Sequence, residues 1–254
     1  MVNIWITGGE EGCKLARECG AVAIVVDSCR ASPTIVTLLD RGATEVMAVS
    51  EVSDARALAK AITNALLAGE RKGLKLPGFD LGNSPLEVLR EDVAGKAVVF
   101  TTTTGARRLV EAIGAAAILV GSPLNADSVA GLAGDMARTR GRDVVVIPAG
   151  LASDPSCYCS EDWYGAASIA RSIPGTVVAQ CREKLATLVS SIDREGLPAL
   201  FRQSDHGKFL IELGFGEDVN YCARTNVNKV VPIVTGTLRL PSGALAARVI
   251  SSDK

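Results

Sequence analysis

Asp27, Arg30 and Ser32 stand directly after five apolar, mostly β-branched residues, Val22–Val26, in the stretch VAIVVDSCRASP. A buried strand that ends in a carboxylate and a guanidinium at the start of a helix is a common way to build an anion or metal site. The Asp27 carboxylate can hold a divalent cation, act as a base or attack as a nucleophile. The donor fork of Arg30 suits a phosphate or a sulfonate. The plainer reading is a mutual ion pair that ties down the turn.

Other polar clusters follow the same logic. Thr101, Thr102, Thr103 and Thr104 precede Gly105, an arrangement that can offer hydroxyls and backbone N–H groups to an oxyanion, or merely cap a strand-to-helix turn. The turn-rich stretch KLPGFDLGNSP presents Asp80 and Asn83, which serve either a ligand or their own turns. Ser160, Glu161 and Asp162 put two adjacent carboxylates in a helix's first turn, where they favour the helix dipole or supply oxygen ligands to Mg²⁺. Ser204–Lys208, SDHGK, holds the chain's one histidine, His206, beside Gly207 and Lys208. A histidine at a helix N-terminus can be a general acid or a substrate ligand, or an ordinary surface residue.

Several chemistries are excluded. One histidine rules out HExxH zinc hydrolysis and paired-histidine phosphotransfer. No GxxxxGK[ST] occurs, so the threonine loop is not a P-loop. A thiolate phosphatase built on Cys29 needs arginine at position 35, where Ile35 stands, so Cys29 reads as a packing residue. The aspartyl-phosphate pattern DxDx[TV] fails because Ser28 and Cys29 follow Asp27. The seven cysteines (Cys13, Cys19, Cys29, Cys157, Cys159, Cys181, Cys222) contain no CxxC, which predicts reduced, mostly buried thiols in the cytoplasm rather than a zinc site. A net charge of −1, from 27 basic and 28 acidic residues, with 4% aromatics, gives no field or stacking surface for nucleic acid. No apolar run approaches the roughly 20 residues of a membrane span, and MVNIWITGGEEG lacks the basic start of an export signal.

The elements that must position these residues are legible as strand-like runs at Val22–Val26, Glu45–Val49, Ala97–Thr101, Ala117–Val120, Val144–Ile147 and Val230–Val234, with helical patterns between most of them. This alternation predicts an α/β fold with a largely parallel sheet covered on both faces. The 254 residues, 48% of them hydrophobic, form one domain in this reading, with a mainly helical segment at 180–228. Ser32-Pro33, Ser84-Pro85 and Ser122-Pro123 each read as an N-cap serine before proline, and Ser160 as a further cap. VVDSCRASPTIVTLLDRGATEVMAVS and VVFTTTTGARRLVEAIGAAAILVGS form a weak internal repeat, which predicts two polar loops on one sheet edge. Apolar patterns such as Ala55–Leu67 fit either core or a homo-oligomer interface.

DSCRASPTIVTLLDRGATEV, LAGERKGLKLPGFDLGNSPLEV, VVFTTTTGARRL, VGSPLNADSVA, SEDWYGAASIA and SDHGKFLIELGFGEDVNYCARTNVNKVVPIV occur in this order. Together they resemble the 2-phosphosulfolactate phosphatase family over about nine-tenths of the chain. The resemblance implies a three-layer α/β/α fold with a largely parallel or mixed sheet. It also implies Mg²⁺-dependent release of phosphate from (2R)-2-phospho-3-sulfolactate, a step of coenzyme M biosynthesis. Asp27, Arg30, Asn83, Glu161, Asp162, His206 and Gly207 fit the family's pattern. Cys29 stands where that pattern carries a bulky apolar residue, and Thr104 where it carries asparagine. On this reading Asp27, Arg30, Glu161, Asp162 and His206 carry catalysis, and Asp27, Glu161 and Asp162 hold Mg²⁺. Ser32, Asp80, Asn83, Thr102, Thr103, Thr104, Gly105, Gly207 and Lys208 bind the small phosphorylated sulfo- or carboxylic acid. Whether Asp27 attacks phosphorus or only binds metal stays open. Another 2-phospho-carboxylate as substrate, or a non-catalytic anion binder on the same scaffold, also stays open.

Overall fold

The structure is a computed structural model that describes residues 1–151 and 159–253; Cys157 therefore lies outside the described residues. Its strands are β1 (Asn3–Ile6), β2 (Val22–Val26), β3 (Glu45–Val49), β4 (Leu66–Arg71), β5 (Leu74–Lys75), β6 (Ala97–Thr101), β7 (Ala117–Val120), β8 (Val144–Pro148), β9 (Thr176–Val177), β10 (Pro232–Arg239) and β11 (Leu245–Ser251). The helices are α1 (Gly9–Glu18), α2 (Ala31–Asp40), α3 (Val52–Ala61), α4 (Pro85–Val88), α5 (Gly105–Glu111), α6 (Ala126–Arg140), α7 (Ser160–Ala170), α8 (Ala179–Glu195), α9 (Leu197–Gln203), α10 (Asp205–Glu212) and α11 (Gly216–Cys222).

The strands form one 11-stranded sheet in the order β5-β4-β6-β3-β11-β10-β7-β2-β8-β1-β9. Two parallel blocks, β4-β6-β3 and β7-β2-β8-β1-β9, flank an antiparallel hairpin, β10-β11. The hairpin pairs antiparallel with β3 on one side and with β7, through Ile233 and Leu119, on the other. The sequence reading finds the parallel blocks because their strands are continuous apolar runs, as strands covered on both faces must be. It finds β10 only in part, placing it at Val230–Val234. The observed strand starts at Pro232 and runs on to Arg239 with half-exposed, polar residues that carry no apolar run. It also reads Ala55–Leu67 as one pattern, whereas α3 ends at Ala61 and β4 begins at Leu66. Ala55 and Leu58 are buried in a core cluster that Leu67 joins from the sheet, so this pattern is core.

Helices cover both faces. α1, α2 and α5 pack their apolar sides on one face, around Cys13, Ile35, Leu38, Phe100 and Leu109. On the other, α6, α7 and α8 cover β1, β2 and β8, and α3 covers β3 and β6. The expected three-layer α/β/α arrangement is therefore observed. Each half of the internal repeat spans the hairpin: β2-α2-β3 starts in one block and ends in the other, and β6-α5-β7 returns. The segment after residue 180 is helical, and α9 to α11 form a small core with Cys29 from the loop after β2. Among the described residues no helix is long and apolar enough to cross a membrane.

Candidate active site

Every residue of β2 is at most 1% exposed, and burial of each such side chain contributes on the order of 2 kcal/mol. This rigid strand delivers Asp27 to the point where α2 begins. The helix opens at Ala31, two residues before the Pro33 start that the sequence predicts, and Ser32 is not its cap. The reason is local. Asp27 Oδ1 accepts the Ala31 amide at 3.1 Å, so the aspartate caps the helix from within the loop. Ser32 Oγ turns back to accept the Asp27 amide at 2.9 Å. Ser32 thus shapes the loop. Asp27 Oδ2 lies against α5, since a Cβ on Gly105 would sit 2.8 Å from it and 2.5 Å from Ala31 Cβ. Only glycine lets the two helix starts approach this closely, and the two polar loops of the repeat meet here as predicted.

α7 brings two acids to the same place from the opposite face of the sheet. Its first residue is Ser160 and its N-cap position is Cys159, so Ser160 lies one residue inside the helix it was expected to cap. Asp162 accepts backbone amides with both oxygens, Ser28 at 2.7 Å and Gly150 at 3.0 Å. Glu161 is 1% exposed. Its Oε1 lies 3.0 Å from His206 Nδ1, while Oε2 is buried with no hydrogen-bond partner. Burial pushes the Asp27 carboxyl up to about 6, against the opposing Ala31 amide and the charge of His206, with Glu70 and Glu161 adding to the rise. Burial, then the charges of Asp27 and Glu161, hold Asp162 well above the usual carboxylate range despite its two amide bonds. Burial lowers His206, but the hydrogen bond and charge of Glu161 together with the charge of Asp27 outweigh it, and the imidazole is raised above its ordinary value. Asp27, Glu161, Asp162 and His206 therefore form one electrostatic cluster, as the sequence predicts.

The threonine loop departs from expectation. Thr102 Oγ1 accepts the Ala106 amide at 3.1 Å, and Thr103 gives both its amide and its hydroxyl to Glu70 Oε1 at 2.9 Å. Glu70 Oε2 accepts the Gly73 amide at 2.8 Å. The Thr103 donors that were expected to cradle an oxyanion are thus used internally and Thr102 Oγ1 serves as an acceptor, while Thr104 and Gly105 stand at the helix start. Glu70, 6% exposed, was not singled out in the sequence. Its only signal there is an acid at the end of a strand, in GERKG.

Arg30 is also redirected. It is 2% exposed, with Nη1 3.0 Å from Asp218 Oδ2, Nη2 2.6 Å from the Gly73 carbonyl, and its guanidinium 4.0 Å from the Phe215 ring centroid. Asp218, on α11, also accepts Ser84 Oγ and the Leu86 amide. Arg30 therefore clamps α11 and the loop before α4 to the first loop, and part of the donor fork expected to meet a phosphate or sulfonate is engaged. Asp218 was missed, because an acid on an unremarkable helix has no sequence signal until its partner is known. Gly207 is a packing residue: its amide bonds Ser204 Oγ at 2.9 Å, and the Phe201 carbonyl occupies the space of a Cβ. Asp80 is exposed and accepts the Leu67 amide of β4, which ties its loop to the strand. Lys208 is exposed and lies 3.7 Å from Asp205. Asn83 is buried and its Oδ1 has no hydrogen-bond partner.

No three His, Cys, Asp or Glu side chains among the described residues are placed to hold a metal ion together. Asp27, Glu161 and Asp162, expected from the sequence as ligands, are not gathered into such a group, and each Asp162 oxygen already accepts one amide. A smaller donor set does fit. Mg²⁺ commonly takes one or two carboxylates plus water and substrate phosphate, and Glu161 Oε2 is a buried anionic oxygen without a partner. Leaving such an atom unsatisfied costs about 1–3 kcal/mol or more.

The fold and the site together define an α/β protein whose acids and one histidine gather at a helix N-terminus suited to an anion. The profile of the family described as 2-phosphosulpholactate phosphatase matches residues 10–237. A protein of Carboxydothermus hydrogenoformans named "Probable 2-phosphosulfolactate phosphatase" is 38% identical over 210 residues, covering 82% of this chain and 84% of that protein. One of the same name from Deinococcus radiodurans is 35% identical over 228 residues, covering 88% and 92%. The chain belongs to the 2-phosphosulpholactate phosphatase family.

Proposed function

We propose that the protein hydrolyses (2R)-2-phospho-3-sulfolactate to (2R)-3-sulfolactate and phosphate with the help of Mg²⁺. The observation that carries this reading is the unpartnered, buried Glu161 Oε2 in the electrostatic cluster of Asp27 and His206. Family membership and the names of the relatives support the substrate class. Asp27 and Glu161 would hold the ion, which when bound neutralises charge on the phosphoryl oxygens.

The chain's own groups do the rest. The N-terminal end of α2 favours the phosphate's negative charge. Glu161 Oε1 fixes the His206 ring through Nδ1 and raises its proton affinity, so that the ring keeps a proton on Nε2 to higher pH than an ordinary imidazole. That proton is the one to pass to the ester oxygen as it leaves. Asp162 holds the Ser28 and Gly150 amides and keeps the first loop in register with α7.

One observation favours a second reading. With Arg30 held by Asp218 and Gly73, part of the donor fork expected to recognise a sulfonate is already engaged, which favours a broader class of 2-phospho-carboxylates. Two experiments decide. Phosphate release should require Mg²⁺, stop in EDTA and return on adding the metal. Calorimetric Mg²⁺ binding should be lost in Glu161→Gln. Full activity in EDTA overturns the metal role. A panel of phosphosulfolactate, phospholactate and phosphoglycolate should show at least about tenfold preference in kcat/KM for the sulfonate; equal values establish the broader reading.

A further inference from the structure

We propose that Cys29 and Cys222 form a reversible disulfide that switches off the site when a hydroperoxide oxidises the protein. Cys29 lies between Asp27 and Arg30, and Cys222 ends α11. The Cys222 side chain, together with burial, holds the Cys29 thiol well above its ordinary value. Two independent features put them face to face. Both belong to the same small core, with Leu197, Phe201, Leu210 and Val219. Asp218, one helical turn before Cys222, is 3.0 Å from the guanidinium of Arg30, the residue after Cys29. Residues four apart share a helix face, so the ion pair and the thiol pair lie side by side across one contact.

The chemistry balances with the hydroperoxide as the two-electron oxidant. One thiol sulfur takes the terminal peroxide oxygen as the O–O bond breaks; with hydrogen peroxide this gives a sulfenic acid and one water. The second thiol attacks that sulfur, the S–S bond forms, and the hydroxyl leaves with the second thiol's proton as another water. Exposures of 3% and 0% restrict the oxidant to a small molecule and place the step in moments when α11 lifts from the loop. The cross-link then ties α11 to the catalytic loop at a point two residues from Asp27. A displacement of about 1 Å in a catalytic group can cost on the order of 100-fold in rate.

The experiment treats the full-length, Mg²⁺-loaded protein with hydrogen peroxide, blocks the remaining thiols and maps the peptides by mass. A linked Cys29–Cys222 peptide is expected, with a fall of roughly tenfold or more in kcat/KM and recovery with dithiothreitol. Cys222→Ala, outside the reacting groups, should keep its activity through the same treatment. The wild-type map alone tests the link if that variant fails to fold. Both cysteines recovered as free thiols in the inactivated protein overturn the proposal, and so does a mapped link with undiminished activity. The switch rests on the phosphatase reading, but the two fail separately. A reduced protein that releases no phosphate from any ester sinks that reading, while the mass map still decides the cross-link.

Discussion

The loop after β2 and the loop after β6 have the same hydrogen-bond skeleton and different chemistry. In each, the first residue past the strand caps an alanine amide four residues on: Asp27 caps Ala31, and Thr102 caps Ala106. In each, the next amide is held by a carboxylate from elsewhere in the chain. Asp162 holds Ser28, and Glu70 holds Thr103. The scaffold is thus shared, and the cap residue makes the difference. A threonine hydroxyl that caps a helix keeps only its neutral O–H, whereas a carboxylate has a second, charged oxygen, and Asp27 turns it toward Gly105. The duplication suggested by the sequence is visible in these bonds more clearly than in residue identities.

Substitutions in the two loops should have unequal effects. Asp27→Asn keeps an oxygen to cap Ala31 but removes the charge. It should lower kcat by on the order of 1,000-fold, measured by phosphate release. The same change should stabilise the metal-free protein. Asp27 is raised to about 6 in the fold, so the folded state binds its proton more tightly than the unfolded chain, and stability falls as pH rises through 4 to 6. Removing that loss should add on the order of 2 kcal/mol at pH 7, read by urea denaturation in EDTA. An Asp27→Asn variant no more stable than wild type would refute the buried-charge account.

His206→Gln should cost about 100- to 10,000-fold in kcat. In the wild type, the alkaline limb of the pH–rate profile should lie above the ordinary histidine value, because Glu161 and Asp27 hold the proton on. The corresponding stability contribution is present below that ordinary value and lost as pH rises through the raised one. A limb unchanged in the glutamine variant would assign it to another group.

Glu70→Gln places an amide NH₂ against the Gly73 amide or the Thr103 donors. It should destabilise by about 1–3 kcal/mol and reduce kcat/KM by roughly tenfold through displacement of Gly105. The smallest effect should come from Thr102→Ala, which loses a helix cap worth about 1 kcal/mol while activity stays within about threefold of wild type. A Thr102→Ala variant as inactive as Asp27→Asn would mean that the two loops share the chemistry as well as the scaffold.

What the sequence discloses follows from how each residue is used. β2, β6 and β8 are readable because burial on both faces demands uninterrupted apolar residues. Asp27, Glu161 and Asp162 are readable because acids at strand and helix ends are few. The ion pair of Arg30 is not readable, since its partner Asp218 is 188 positions away and only the folded chain brings them together. Gly207 and Ser32 look like site residues because they neighbour His206 and Arg30, yet Gly207 is used in packing and Ser32 in holding the Asp27 amide. β1, β4, β5, β9 and β11 escape notice because strands that are short or interrupted by polar and charged residues leave no clear apolar run.

The β10–β11 hairpin also bears on how the molecule comes to exist. It follows every other strand in chain order, yet sits between the two parallel blocks. During synthesis β3 and β7 are therefore each left with an open edge until residues 232–251 emerge, and open edges invite pairing with other chains. The closing contacts are remote: Arg248 meets Glu45 across 203 positions. A sheet completed by its last-made strands must fold slowly for its size, and its nascent halves are natural clients for a chaperone.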